Sequence, residues 1–255
     1  HEAADPETRI GVALSLWKQD DFEQALDMAT PYLKRTDLSS ASESAVELVL
    51  NIHLANSSWE DILDVARTLR PEKLSPALRN QLVYARALAH QKLLQEAKAR
   101  PLWKNVVNME HVSNLQQGFA FYFLAEQAMQ DSDWEKVYIL AQNAFRQLQS
   151  SEQATAKALD SLDMLVHVTR RSGRVLEALE WAHRYEDLLS PDAPDWPAAK
   201  YKLANLYRQN GFLAKWEKNL QELSSDYPQT LYGEMAASDL SEDRLQKQAQ
   251  AFFNQ

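Results

Sequence analysis

The chain contains no cysteine. Disulfides, thiolate catalysis and cysteine-based zinc sites are therefore excluded. Glycine is scarce, five in 255 residues, against roughly 7% in average usage, so few turns can rely on its freedom at positive φ. Alternating runs of Val, Ile and Thr are missing, which leaves strands little support. No run of about 18 apolar residues occurs, so no segment reads as a transmembrane helix. Basic residues are outnumbered, 27 to 36, for a net charge of −9. Nucleic acid and anionic membrane surfaces are both recognised by clustered Lys and Arg, and neither is expected as a partner. The phosphate-loop, dinucleotide, nucleophile-elbow and H-E-x-x-H zinc motifs are absent too.

What the chain does have is Ala, Leu, Glu, Gln, Lys and Arg, the residues that favour helix. A boundary signal recurs at Asp20-Asp21-Phe22-Glu23, Ser57-Ser58-Trp59-Glu60 and Ser132-Asp133-Trp134-Glu135. Each reads as a capping side chain at Asp20, Ser57 or Ser132, an aromatic two residues on, and a Glu three residues on that reaches back to the cap. The spacings are 37 and 75 residues, so an intermediate unit should begin near Leu94. Two more turns are expected at Ser172-Gly173-Arg174 and Asn210-Gly211-Phe212, where Gly suits the left-handed residue that ends a helix.

The stretch from Leu203-Ala204-Asn205-Leu206-Tyr207-Arg208-Gln209-Asn210-Gly211 through Leu223 to Tyr227-Pro228 resembles a tetratricopeptide (TPR) repeat. The resemblance covers about residues 7–228. It places the small residue of the first helix at Ala13, Ala85, Ala125 and Ala204, and that of the second at Ala25, Ala97 and Ala178. Leu50, Ile62, Val137, Val166 and Trp216 are bulkier than the pattern. Anchors of the second helix fall 37, 35, 40, 41 and 38 residues apart, longer than the roughly 34 of the family. The expectation is an all-α, right-handed α-α superhelix, a TPR-like solenoid of about six helix pairs within a single domain, 1–255. The units are approximately 7–36, 41–70, 77–109, 115–150, 155–190 and 197–228. A cap at 229–255 follows, made of two short helices, 230–239 and 241–254, the second carrying Leu245, Ala249, Phe252 and Phe253 on one side. Pro191, Pro194 and Pro197 mark a possible joint at 190–198, and Pro31 and Pro101 are expected to kink their helices.

No enzyme is expected, nor any cofactor or metal. Glu180-x-x-His183 has a di-iron spacing but stands alone. Asp163 and His167 share a helix face without a nucleophile nearby. Phe119, Tyr122 and Phe123 share a face and read as core in preference to a ligand pocket. The resemblance implies which first-helix positions face a concave groove: Glu47, Asn51, Arg86, His90, Tyr122, Glu126, Asp163, His167, Arg170, Tyr201, Asn205 and Arg208. Tyr, Asn and Arg suit an extended peptide, so a protein or peptide partner is expected. The family's carboxylate clamp is not, because Ile10 and Leu14 occupy its first-unit positions. A ligand- or glycan-sensing repeat domain of a larger exported protein is the alternative. The ending Tyr227-Pro228-Gln229-Thr230-Leu231-Tyr232-Gly233 is similar to the ends of envelope-associated bacterial repeat proteins. With the missing Met and the lack of cysteine, it favours the periplasm or another exported setting over the cytoplasm. Oligomeric state is left open.

Overall fold

A computed structural model describes residues 5–33, 40–189 and 192–253, with side chains described as far as residue 245. Pro191, the unit ends at 36 and 190, and the side chains of Ala249, Phe252 and Phe253 lie outside the described residues. Among those described there are thirteen α-helices and no strand. They are α1 (Pro6–Trp17), α2 (Phe22–Ala29), α3 (Ser40–Ala55), α4 (Trp59–Thr68), α5 (Pro76–Lys92), α6 (Glu96–Asn108), α7 (Asn114–Gln130), α8 (Trp134–Leu148), α9 (Thr155–Arg171), α10 (Val175–Leu188), α11 (Trp196–Gln209), α12 (Leu213–Asp226) and α13 (Leu231–Phe253). The chain divides into two compact units, His1–Gln127 and Ala128–Gln255.

One turn recurs at six places. Asp20, Ser57, Leu94, Ser132, Gly173 and Gly211 all have positive φ, between 56° and 77°. Each is the second or third residue past an odd-numbered helix. In the first turn the amide of Asp20 donates to the Trp17 carbonyl and that of Asp21 to the Leu16 carbonyl, both at 3.0 Å. In the last, Gly211 donates to Arg208 at 3.1 Å and Phe212 to Tyr207 at 2.9 Å. This is the paired bonding of a Schellman motif, which satisfies carbonyls that a helix end otherwise leaves bare. The next residue is already the cap of the following helix. Asp21 accepts from the amide of Gln24 and Asp133 from that of Lys136, each at 3.3 Å.

The caps are therefore Asp21, Ser58 and Asp133, one residue later than the sequence motif suggests, and Ser58 makes no capping side-chain bond. Asp20, Ser57 and Ser132 serve instead as the left-handed residue, which short polar side chains tolerate better than most. Leu94 lacks that tolerance; it is 86% exposed and held at φ 56°.

The turn also sets the packing register. The residue seven before it is Ala13, Leu50, Ala87, Ala125, Val166 or Ala204, and all are buried. The residue five after it is Ala25, Ile62, Ala99, Val137, Ala178 or Trp216, and these are buried as well. The third pair was expected at Ala85 and Ala97. Ala97 is exposed, because the turn at Leu94 puts the second-helix anchor two residues later. Successive turns then fall 37, 37, 38, 41 and 38 residues apart.

In the first unit α1 packs on α2 and α3, α3 on α4 and α5, and α5 on α6. Its core is built from residues such as Leu48, Leu50, Ile52, Ile62 and Leu82. A run of rings continues it: Tyr84 meets Trp103 edge-on at 5.8 Å, Trp103 stacks on Phe123 at 5.0 Å, and Phe123 on Phe119 at 6.5 Å. The aromatic run in α7 is core, as its helical spacing suggests. In the second unit α8 to α13 pack each on the next, around Leu148, Leu162, Leu165, Trp216, Leu220 and Leu223.

Pro31 lies in a 3-10 turn (Thr30–Tyr32) that ends α2, whereas Pro101 sits inside α6, where it removes one backbone bond. Residues 231–253 form one helix in place of the two short ones expected. Thr230 starts it, its hydroxyl accepting from the amide of Gly233 at 3.1 Å. A Cβ at Gly233 would lie 2.0 Å from the Tyr227 carbonyl oxygen, so α13 approaches the end of α12 as closely as it does only because Gly is there.

Two sets of backbone variants test this scheme. Leu94→Gly should stabilise the chain, and Gly173→Ala or Gly211→Ala should destabilise it, each by about 1 kcal/mol, read as shifts in the urea midpoint. Space is open at both glycines, so backbone conformation alone sets the cost. Gly233→Ala should cost about 1–3 kcal/mol through overpacking, although Ala is the better helix former. Earlier melting and faster proteolysis after Tyr227 are the expected readouts; a more stable variant would refute the close approach.

Candidate functional site

The turn register sorts one face of each odd-numbered helix into rows. Ten residues before each turn stand Ile10, Glu47, Tyr84, Tyr122, Asp163 and Tyr201. Six before stand Leu14, Asn51, Leu88, Glu126, His167 and Asn205. Three before stand Trp17, Leu54, Gln91, Met129, Arg170 and Arg208. Ten of the twelve groove residues expected from sequence fall on these rows. Arg86 and His90 do not; they lie eight and four residues before Leu94, and Tyr84 and Leu88 occupy the equivalent places.

The twelve divide between the two units, six in each. In the first, Glu47 is exposed, and Arg86 is half-buried. Asn51 accepts a bond from the Gln81 amide at 2.7 Å, which joins α3 to α5. His90 faces the Gln95 side chain at 2.9 Å. Tyr122 is buried, and its hydroxyl donates to Glu126 at 2.5 Å. It supports the face from beneath and offers no open surface.

In the second unit the rows are tied sideways. The Asp163 carboxylate on α9 pairs with Lys202 on α11 at 2.7 Å. Arg170 donates to the Gln209 side-chain carbonyl, again from α9 to α11. Tyr201 donates to Asp239 on α13 at 2.9 Å, and its ring lies 5.8 Å from that of Tyr232. Burial, then the bond to Asp239, holds the Tyr201 hydroxyl above its usual pKa. His167 lies against the Trp134 ring at 5.7 Å. Arg208 is exposed, its guanidinium 4.9 Å over the Trp216 ring, and Asn205 is half-buried beside Tyr201.

Lys202, Gln209 and Asp239 were not anticipated, although a signal for them existed. They sit 39, 39 and 38 residues after their partners, one repeat on. Pairing each groove residue with a complementary one a repeat later would have found them. The Lys202–Asp163 pair is half-exposed, so it contributes at most about 1 kcal/mol. Its value lies in fixing register between α9 and α11.

Of the residues with catalytic or metal-ligand spacing, Asp163 and His183 are engaged in contacts that hold the fold. Asp163 is paired with Lys202, not with His167. Glu180 is exposed, while His183 Nε2 lies 3.0 Å from the Tyr207 hydroxyl and its Nδ1 3.8 Å from Glu186. Among the described residues no three His, Asp or Glu side chains converge as a metal site would require. Asp163, Val166, Tyr185, Lys202 and Leu206 line a cleft between α9, α10 and α11, too narrow to admit more than a water-sized group. Burial, reinforced by Asp163, Asp160 and Asp195, pushes the Tyr185 hydroxyl up to about 12.

No family model and no curated protein matches the chain. Solved structures do. The apo form of RapI superposes with a TM-score of 0.60 at 11% identity, covering 96% of this chain and 72% of that one. A kinesin light chain from Podosopora anserina with nearly identical TPR-like repeats matches 86% of this chain and 95% of its own at 18% identity, with a TM-score of 0.46. Acl4, an assembly chaperone of RpL4, matches 96% and 99% at 14% identity, also at 0.46. The fold is an all-α, TPR-like helical repeat. At these identities the likeness extends to the fold alone, and no helix among the described residues is long and apolar enough to cross a membrane.

Two histidines on the first unit generate a pH test. Burial is the main cause that lowers the pKa of both His53 and His90 below the ordinary 6.5; Asp61 opposes it at His53 and the Gln95 bond at His90. The unfolded chain therefore binds more protons as pH falls below 6.5, and stability drops with it. Urea midpoints should decline between pH 7 and the lowered values, and His53→Gln/His90→Gln should flatten that decline. An unchanged slope would show that these side chains are not what the acid titrates.

Proposed function

We propose that the chain is a non-catalytic scaffold that holds a protein or peptide against the exposed faces of its odd-numbered helices. One observation carries the reading. In the second unit, sideways bonds from α9 to α11 and from α11 to α13 lock successive helices in register. By the turn register His167 and Asn205 stand at equivalent positions on α9 and α11, as do Arg170 and Arg208, so that the two helices present matching polar side chains. Preorganised rows of this kind lower the ordering cost of binding and suit an extended chain lying across them. The setting proposed is a bacterial cell-envelope assembly, on the strength of the Tyr227–Gly233 ending alone.

The test is selection of peptides about twelve residues long from a displayed random library against the whole chain. A consensus should emerge, and its affinity should fall in a His167→Ala/Asn205→Ala variant with an unchanged urea midpoint. Tyr201 is left intact, because its bond to Asp239 helps seat α13. Selection that yields no consensus, or a consensus indifferent to both substitutions, would refute the assignment.

A further inference from the structure

Leu94 is the odd residue among the six turns. Gly, Asp and Ser hold the left-handed conformation at the other five, and each tolerates it better than Leu. Packing does not offset that strain, because the Leu94 side chain is 86% exposed, more than any other large apolar side chain among the described residues. The other strongly exposed leucines, Leu176, Leu213, Leu231 and Leu245, lie within α10, α12 and α13, where the backbone suits them. Strain without packing points to a contact outside the chain. We infer that the turn at Leu94 is a docking point for an acidic segment of a partner protein, with Leu94 as its apolar anchor.

The ground around Leu94 is basic. Between Glu72 and Glu110 the sequence holds seven Lys or Arg and one acidic residue, Glu96, in a chain of net charge −9. Several of these cations meet at the turn. The side-chain oxygen of Gln95, the residue after Leu94, lies 2.9 Å from His90 Nδ1 and 3.3 Å from the Lys98 ammonium. Both groups are thus held on one atom beside Leu94, and Lys92 is exposed two residues before it. Burial is the first cause that lowers the His90 pKa; against the opposing Gln95 bond, the charges of Lys98, Arg86 and Arg67 lower it further. Arg67 reaches His90 in this way even though it is paired with Asp64. Three successive helices, α4, α5 and α6, therefore bring positive charge to one turn.

An exposed apolar side chain on basic ground is complementary to an acidic segment that carries an apolar residue of its own. Burial of the two apolar groups supplies affinity, while the charges steer the encounter and select the partner. An anionic membrane is a poorer fit, because it meets the net charge of the whole chain, −9, and one Leu gives it little to bury. The turn lies in the first unit and the rows with His167 and Asn205 in the second, so this contact goes beyond the scaffold reading and stands or falls separately.

The library selection on the whole chain tests this, with enriched peptides resynthesised with acetylated and amidated ends so that no terminal carboxylate contributes. One group of peptides should carry Leu, Ile or Phe flanked by Asp or Glu. Leu94→Gly should weaken these about tenfold or more while raising the urea midpoint, so that lost binding cannot be lost folding. Leu94→Asn, which also tolerates the turn, should act alike. Lys98→Glu, or salt raised from about 0.1 to about 0.5 M, should weaken them too, whereas His167→Ala/Asn205→Ala should not. Enrichment of no acidic peptide, or of acidic peptides indifferent to both Leu94 variants, would overturn the inference. So would Leu94-dependent cosedimentation with phosphatidylglycerol vesicles in place of peptide binding, which would assign the turn to a membrane. The scaffold reading fails separately, if no enriched peptide responds to His167→Ala/Asn205→Ala.

Discussion

A single backbone residue in the left-handed conformation, placed between two helices, is the constraint on which the rest depends. It closes the first helix through two amide–carbonyl bonds and hands the chain directly to the next cap. Because the linker has a fixed conformation, the residues seven before and five after it are buried at each of the six turns. The sequence needs Gly for this at two of six positions and uses Asp, Ser or Leu at the others. Glycine scarcity therefore does not limit the number of turns, only their cost.

Register passes from the turn to the surface. A helix pair alone fixes nothing about its neighbour, and the second unit supplies that information through bonds between residues one repeat apart. Asp163 with Lys202, Arg170 with Gln209, and Tyr201 with Asp239 are modest individually. Their effect is to stop α9, α11 and α13 from sliding, so that polar side chains line up in rows. The recognition surface we propose, made of rows on the helices, needs no deep pocket, and the narrow cleft by Tyr185 agrees with that.

The helices were legible because helix-forming composition and apolar spacing act over many residues at once, and an error at one position is outvoted. The row positions on the odd-numbered helices were legible wherever a turn was marked by Gly or by a polar-polar-aromatic-Glu string. They were misread by two residues in the third repeat, since Leu94 and Gln95 carry no turn signature and only the folded backbone places the left-handed residue there. The capping side chains were read one residue early for a related reason: Asp20, Ser57 and Ser132 have the chemistry of a cap, yet the Schellman bonds require that residue for the reversal. Tyr122 lay on the expected row, but burial by its own unit removes it from the surface.

The sequence by itself determined that this chain is all-α, that it repeats at slightly more than the tetratricopeptide period of roughly 34 residues, and which faces are apolar, because these follow from local propensity and periodicity. Only the tertiary structure decided which polar residues are consumed in holding one repeat to the next and which stay available. That distinction depends on distances between residues about 38 positions apart, and no local pattern encodes them.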